Sequence, residues 1–261
     1  MTPAEGTITF REREFKGSRL RCLLLTNNAP DYVAAFLNSL VAPHALVTIE
    51  DHWAPRGFLN PDEAKLEETP GFLSERDRAE ITRWWLAQPG RANTPNWDLV
   101  STCRIEDRRG LILAEAKAHE AEFSDDRSGA KNPENIRQIE NALAEATVAW
   151  NVLASGFALS ANSHYQLSNR FAFAWKVAKM GTPVVLLYLG FLDAQEMEDG
   201  SRILLKDYVQ WRRCLLARSK GTVPEEIWDK TFDVNGTPLT ILIGSAVVGI
   251  HARSASDRAT V

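Results

Sequence analysis

The sequence predicts an α/β domain in which helices flank a mixed central sheet. Three observations favour this class: a pair of apolar runs joined by a charged, glycine-ended turn within 97–118, helical patterns on either side of that pair, and a continuous apolar run at 184–191. The chain of 261 residues is 44% hydrophobic and 25% charged, as is usual for a globular domain. It shows no internal repeat and no long linker, so we expect a single domain.

The first third of the chain predicts several small elements before one clear helix. We expect a short strand at 19–26, a helix at 31–40 capped by Asp31, a second strand at 45–50 and a loop over 54–73. Ser74, with Asp77 three residues later, resembles a capping box and predicts the start of a helix. That helix should end before Pro89 and Gly90.

The rest of the chain supplies a hairpin, long helices and a buried strand. The hairpin strands are predicted near 97–104 and 110–118. Strand alternation places Leu111, Leu113, Glu115 and Lys117 on one face of the second strand, and Ile112, Ala114, Ala116 and Ala118 on the other. Helices are predicted at 134–154, 163–180 and 201–218 and a buried strand at 184–191, while 237–250 fits strand or helix and the last ten residues are expected to be disordered.

Charge and cysteine content narrow the function classes. A net charge of −4 provides no overall basic field, so a nucleic-acid partner must be bound through local patches. Cys22, Cys103 and Cys214 are widely spaced and show no metal or disulfide pattern, so we expect a reducing, cytoplasmic location. The longest apolar runs are too short to cross a bilayer, and no membrane partner is expected.

The residues with the clearest chemistry lie on the hairpin. Asp98 opens its first strand, and Glu115 and Lys117 end its second strand on one face. Hydrolysis of a phosphodiester needs an attacking water and neutralisation of the phosphate charge, both of which Mg²⁺ can assist. Mg²⁺ is often held by one or two carboxylates. We therefore expect Asp98, Glu115 and the backbone carbonyl of Ala116 to bind Mg²⁺, with Mn²⁺ as a substitute, and Lys117 to orient the water or balance the phosphate charge.

This arrangement resembles the PD-(D/E)xK nuclease superfamily, also called restriction-endonuclease-like. Asp98, sixteen intervening residues and then Glu115-Ala116-Lys117 carry the resemblance, although Pro95 is displaced from its usual place beside the aspartate. The resemblance implies a core of a helix, a three-stranded meander, a helix and a strand over 74–191, with 1–73 and 192–261 as elaborations of one domain. It also implies that Asp98 and Glu115 bind Mg²⁺ while Lys117 assists the water, with DNA the first choice of substrate.

The Glu-x-Lys pattern alone is not specific, because the chain carries two further copies. Glu14-Phe15-Lys16 and Glu63-Ala64-Lys65 lack a preceding apolar strand. The second copy lies within the string PDEAK at 61–65, and it is interpreted as a helix start or a loop. Only the copy at 115–117 follows an apolar strand and has an aspartate on a neighbouring strand.

The helix at 163–180 offers two supporting residues. Gln166 and Arg170 share one helical face, and similar positions in branches of the superfamily reach the active site. The resemblance implies a catalytic role for Gln166, and an arginine at Arg170 suits a phosphate of the nucleic acid. The alternative is an ordinary helix start with Arg170 in a surface ion pair.

Weaker candidates lie elsewhere. Some relatives carry a further acidic ligand on the preceding helix, where Glu80 or Glu75 would serve, and His119 shares the strand face of Lys117; a plain surface role is the alternative for each. Residues 202–220 carry six basic residues against one acidic residue, which makes Arg212 and Arg213 candidates for phosphate contacts. A solvated helix face is the alternative there.

Three functions therefore compete. The first is Mg²⁺-dependent hydrolysis of nucleic acid. The second is a nuclease-like fold that binds nucleic acid or a protein partner without cutting. The third is an unrelated α/β protein with charges on a surface hairpin, in which Asp98 would lie far from Glu115 or point to the other face. Target sequence, cleavage mode and oligomeric state stay open, a homodimer being one option.

Overall fold

A computed structural model describes residues 16–123, 126–198, 200 and 202–249. Its helices, within these residues, are α1 (Gly17–Thr26), α2 (Pro30–Val41), α3 (Glu75–Trp85), α4 (Pro133–Leu153), α5 (Tyr165–Lys179) and α6 (Tyr208–Ser219). Its strands are β1 (Trp53–Ala54), β2 (Ala64–Lys65), β3 (Asn96–Trp97), β4 (Leu99–Ile105), β5 (Arg108–Lys117), β6 (Val184–Leu192), β7 (Lys230–Asp233) and β8 (Pro238–Val247).

The architecture is mixed α/β, with a six-stranded central sheet in the order β1-β4-β5-β6-β8-β7. Strands β5, β6 and β8 run parallel, whereas β1, β4 and β7 each pair antiparallel with a neighbour. Strands β2 and β3 form a separate two-stranded sheet. The central sheet contains strands from all three predicted segments of the domain. Strand β1 belongs to 1–73, strands β4, β5 and β6 belong mainly to 74–191, and strands β7 and β8 belong to 192–261.

Each face of the sheet has its own hydrophobic core. On one face, Ile112, Ala114 and Ala116 pack with apolar residues of α1 and α2. On the other, Leu111 and Leu113 pack with residues of α3, α4, α5 and α6. This division confirms the predicted alternation along β5, and it makes the fold a three-layer sandwich. The face of Leu111 and Leu113 continues into Glu115 and Lys117, so their side chains point towards the α5 layer.

Several predicted elements are confirmed. Ser74 caps α3 by accepting the Asp77 backbone N–H at 3.2 Å and donating its hydroxyl to the Asp77 carboxylate at 2.7 Å. The hairpin pairs Leu99 with Ala114 through to Ile105 with Arg108, which leaves a two-residue turn. Helices α4 and α5 and the buried strand β6 also lie where they are predicted.

The predicted strand at 19–26 is wrong, since these residues form α1. A short apolar run fits either structure, and this one is leucine-rich, with no β-branched residue before Thr26. Helical spacing turns Cys22 and Leu25 onto the same face, where both are buried in the core beneath the sheet.

The predicted strand at 45–50 is also wrong. Leu46 makes only a single bridge to Arg104, and the side-chain amide of Asn38 bonds both the N–H and the C=O of Val47 at 2.7 and 2.8 Å. These side-chain bonds replace the ladder that a strand would need. Asp31 lies in the first turn of α2 and is not its cap.

Two boundaries in the last third change. Helix α6 begins at Tyr208 and not at 201, because Asp207 caps it by accepting the Gln210 N–H at 2.8 Å. The undecided segment at 237–250 contains strand β8. The disorder predicted for the last ten residues concerns positions outside the described ranges. Within those ranges, no helix combines the length and the apolar character needed to cross a membrane.

Candidate active site

Asp98 lies at the bend between β3 and β4, where the hairpin ladder ends. Since Leu99 pairs with Ala114, extending the register by one residue places Asp98 opposite Glu115. The carboxylate of Asp98 accepts the backbone N–H of Ala116 at 2.8 Å. The local register of the hairpin therefore brings the predicted aspartate to the Glu115-Ala116-Lys117 segment.

Glu115 and Lys117 are buried charges, not surface decoration. Their residues are 1% and 5% exposed, and the Lys117 ammonium contacts one Glu115 oxygen directly. The other Glu115 oxygen accepts the Arg170 Nε–H at 2.6 Å. Burial of these groups and the position of Asp98 contradict the reading of a solvated surface hairpin.

Helix α5 places its two predicted site residues, Gln166 and Arg170, in contact with Lys117 and Glu115. Gln166 Oε1 accepts a hydrogen bond from Lys117 Nζ at 2.9 Å, which fixes the ammonium group between an amide and a carboxylate. Arg170 is 4% exposed, and its other two nitrogens donate to the Asn96 carbonyl at 2.6 Å and to Asn169 Oδ1 at 2.7 Å. A surface ion pair for Arg170 is therefore wrong. All its donor nitrogens bond protein groups, so Arg170 positions Glu115 in this structure.

The two carboxylates have opposite titration behaviour. Burial, followed by the charge of Glu115, raises the pKa of Asp98 to about 8. Burial also acts to raise the pKa of Glu115, but Arg170 and Lys117 outweigh it and lower that pKa overall. Glu115 is thus the anion of the pair, whereas for Asp98 the charge of Lys117 lowers the pKa too little to offset burial and the charge of Glu115.

Lys117 stays protonated in this environment. Burial acts to lower its pKa, but the charges of Glu115 and Asp98 outweigh burial and raise the pKa above its usual value. An ammonium group held in this way donates hydrogen bonds and balances negative charge, but it is not a base at neutral pH.

The oxygen donors at this edge suit Mg²⁺ or Mn²⁺. A carboxylate offers about four lone-pair sites, so Glu115 keeps acceptor capacity beyond its contacts with Lys117 and Arg170. The N–H and C=O of one strand residue point to the same side, so the Ala116 carbonyl points to the side of Asp98. Within the described ranges, no group of three or more His, Cys, Asp or Glu side chains is placed so that it could hold a metal ion by itself. An ion at Asp98 and Glu115 would therefore retain water, as Mg²⁺ commonly does.

Two acidic residues that the sequence analysis missed border a cavity beside Asp98. Glu63 and Asp126 line a space of about 320 Å³ together with Asp98, Gln166 and Arg170. Asp126 accepts the backbone N–H of Gln166 at 3.0 Å at the start of α5. Glu63 belongs to the rejected Glu63-Ala64-Lys65 copy, which was interpreted as a helix start or a loop.

The loop interpretation of this copy is correct for Glu63 and wrong for the two residues that follow it. Ala64 and Lys65 form β2, which pairs with Asn96 and Trp97 immediately before Asp98. The only sequence signal that could have found Glu63 is the acidic character of the 61–68 segment.

The weaker candidates lie away from the pair of carboxylates. Glu80 pairs with Lys176 at 2.8 Å on the outer layer of helices, and Glu75 is exposed at the start of α3. His119 is buried beside Glu122, at 3.5 Å. Arg212 pairs with Asp229 at 2.5 Å. Arg212 and Arg213 line a different cavity, which shares no residue with the one at Asp98.

Comparison with protein-family models gave no match. Searches among curated proteins and among solved structures likewise found no significant match.

Proposed function

We propose that this protein hydrolyses phosphodiester bonds of nucleic acid, with DNA as the first choice, in a Mg²⁺-dependent reaction at Asp98, Glu115 and Lys117. The observation that carries the proposal is the convergence of these three side chains at one end of the β4–β5 hairpin. Two facing carboxylates in a buried setting repel each other, and a divalent cation relieves that repulsion.

The topology supports a restriction-endonuclease-like fold. A helix precedes an antiparallel hairpin, and two further helices lead to a strand that pairs parallel to the second hairpin strand. That order matches the helix, meander, helix and strand expected of the superfamily with two differences: two helices, α4 and α5, precede β6 where one is expected, and the third strand of the meander is β1, which precedes α3.

Each site residue has a distinct role in the proposed reaction. Hydrolysis forms a bond between a water oxygen and phosphorus and breaks the bond to the leaving oxygen, which takes up a proton. Asp98, Glu115 and the Ala116 carbonyl would hold Mg²⁺, which when bound neutralises phosphate charge and lowers the pKa of water. Lys117 stabilises negative charge on the phosphate and the attacking water. Gln166 fixes Lys117, and Arg170 fixes Glu115.

One observation favours a second candidate, a protein of this fold that binds without cutting. Lys117 and Arg170 contact both oxygens of Glu115, so the anion is already neutralised by the protein. A stable internal network of this kind needs no ion. The raised pKa of Asp98 favours the enzyme, because that carboxylate has only the Ala116 N–H as its hydrogen-bond partner among the described residues.

Cleavage assays on Lys117 test the proposed function. The purified protein should cut DNA with Mg²⁺ or Mn²⁺ and stop with EDTA. Lys117→Ala should lower the rate by about 10²–10³-fold or more, the range for loss of one charge-stabilising donor. The matched control is Lys179→Ala, since Lys179 lies at the opposite end of α5 from Gln166, in a largely exposed pair with Glu145.

Thermal melting should show that both variants remain folded. Cutting by Lys117→Ala at the parental rate, or cutting that persists in EDTA, would contradict the proposed function. Binding of DNA without cutting in any metal would favour the second candidate.

A further inference from the structure

The cavity at Asp98 is the middle of a longer groove. On one side it shares Glu63 and Asn96 with a space of about 1000 Å³, here called the first arm. On the other side it shares Pro95, Tyr165 and Asn169 with a space of about 410 Å³, here called the second arm. The three spaces therefore adjoin one another along the candidate site.

The far end of the first arm is cationic. Arg56 is exposed and lies 5.5 Å over the ring of Trp53. Arg109, also exposed, donates to the carbonyl of Gly71, which lines the same arm beside His52. Nearer the centre the carboxylates outnumber the cations, because Lys65 pairs with Glu68 at 2.9 Å, Arg19 lies 3.9 Å from Glu63, and the exposed Asp62 adds a further negative charge.

The second arm is also cationic. Arg91 and Lys131 line it, both are exposed, and neither forms an ion pair with any described residue. The groove thus carries positive charge at both ends and carboxylates in the middle. This pattern suits a polyanion that is cut at its centre by an ion-dependent site, because cations can bind its outer phosphates while its central phosphate meets the bound ion.

We propose that the groove binds a single-stranded polynucleotide, with Arg56 and Arg109 contacting phosphates on one side of the cleaved bond and Arg91 and Lys131 contacting phosphates on the other. This inference rests on the proposed function for the position of the cleaved bond. It assigns nucleic-acid binding to the two arms and not to Arg212 and Arg213 on α6.

The depth of the site selects a single strand over a duplex. Glu115 and Lys117 are almost fully buried and line a separate space of only about 30 Å³, which shares Asp126 and Gln166 with the central cavity. The reacting phosphate must therefore approach them through the central cavity. At about 320 Å³, that cavity is at the small end of the roughly 300–1,000 Å³ typical of pockets for one small ligand. It accommodates one nucleotide, whereas a duplex holds its phosphates on a rigid rod. Single strands follow such grooves through contacts with their backbone.

Binding to a labelled oligothymidylate in EDTA tests the groove independently of cleavage. Fluorescence anisotropy should be measured over a range of salt for the wild type, Arg56→Ala/Arg109→Ala, Arg91→Ala/Lys131→Ala and the control Arg212→Ala/Arg213→Ala. Each groove variant should weaken binding about tenfold and reduce the salt slope by about 1.4, or 0.7 for each lost phosphate contact on a single strand. The α6 control should bind like the wild type.

The outcomes separate this inference from the proposed function. Four results would overturn the proposed groove. They are weaker oligothymidylate binding in the α6 control alone, binding of a duplex as tight as or tighter than that of the single strand, binding of polyglutamate as tight as that of the single strand, and no binding by the wild type. Groove-dependent binding by a protein that never cuts would support the groove and contradict the proposed function.

Discussion

Arg170→Met should cause the largest loss of stability of any single substitution at the site. Breaking a buried ion pair by removing one partner costs about 3–5 kcal/mol, because the other charge stays buried. Arg170 also bonds the Asn96 carbonyl and stacks 4.6 Å over the ring of Trp97. In EDTA we expect the melting temperature to fall by roughly 10 °C.

Mg²⁺ should restore part of that loss. With Arg170 removed, Glu115 is neutralised only by Lys117, so a divalent cation gains more from binding there. The Mg²⁺-dependent rise in melting temperature should therefore be larger in Arg170→Met than in the wild type. Arg212→Met is the matched control, since its partly exposed pair with Asp229 is worth about 1 kcal/mol or less. Equal melting temperatures of Arg170→Met and Arg212→Met would contradict the account of Arg170 and Glu115. So would a Mg²⁺-dependent rise in melting temperature that is no larger in Arg170→Met than in the wild type.

Asp98→Asn should remove a pH-dependent loss of stability in the metal-free protein. The folded pKa of Asp98, about 8, lies above the unfolded value of about 3.9. The folded state therefore binds more protons between these values, and its stability falls as pH rises from about 4 to about 8. The limit is about 1.4 kcal/mol per pH unit, reduced here by the partial exposure of Asp98.

Denaturant unfolding of Asp98→Asn and of the wild type in EDTA, from pH 5 to pH 8.5, measures this effect as the difference between their free energies of unfolding. The asparagine side chain still accepts the Ala116 N–H, so the variant keeps that hydrogen bond. The stability of Asp98→Asn relative to the wild type should increase with pH and level off above about pH 8. A constant difference across the range would show that Asp98 titrates normally and that the carboxylate repulsion is absent.

The hairpin and its three site residues were predictable because they depend on local pairing. Alternation along β5 placed Glu115 and Lys117 on one face, and the two-residue turn at Glu106 and Asp107 fixed the register that brings Asp98 opposite Glu115. Strand β6 and helix α4 were predictable for a similar reason, since long apolar or periodic runs have only one consistent structure.

The other site residues depend on contacts that no local pattern encodes. Glu63 reaches the cavity through the pairing of only two residues, Ala64 and Lys65, with a segment about thirty residues later. Asp126 follows β5 in a loop and is placed by its bond to the backbone of Gln166. Arg170 was placed on the correct helical face, but its burial against Glu115 follows from how α5 packs on the sheet.

The strand predictions for 19–26 and 45–50 were wrong because side-chain contacts outweighed the local pattern. Leucines in α1 had an apolar partner surface that favours a helix, and Asn38 took the backbone bonds of Val47 that a strand would have used. In both segments the structure depends on contacts with residues outside the short run itself.

The binding of a divalent ion between Asp98 and Glu115 is the central claim, and a crystal structure with saturating Mn²⁺ tests it most directly through the anomalous signal of the ion. We predict one ion with oxygens of Asp98, Glu115 and the Ala116 carbonyl at roughly 2.1 Å, the distance typical of Mg²⁺. A structure in which Lys117 and Arg170 still hold Glu115 and no ion lies beside Asp98 would contradict it.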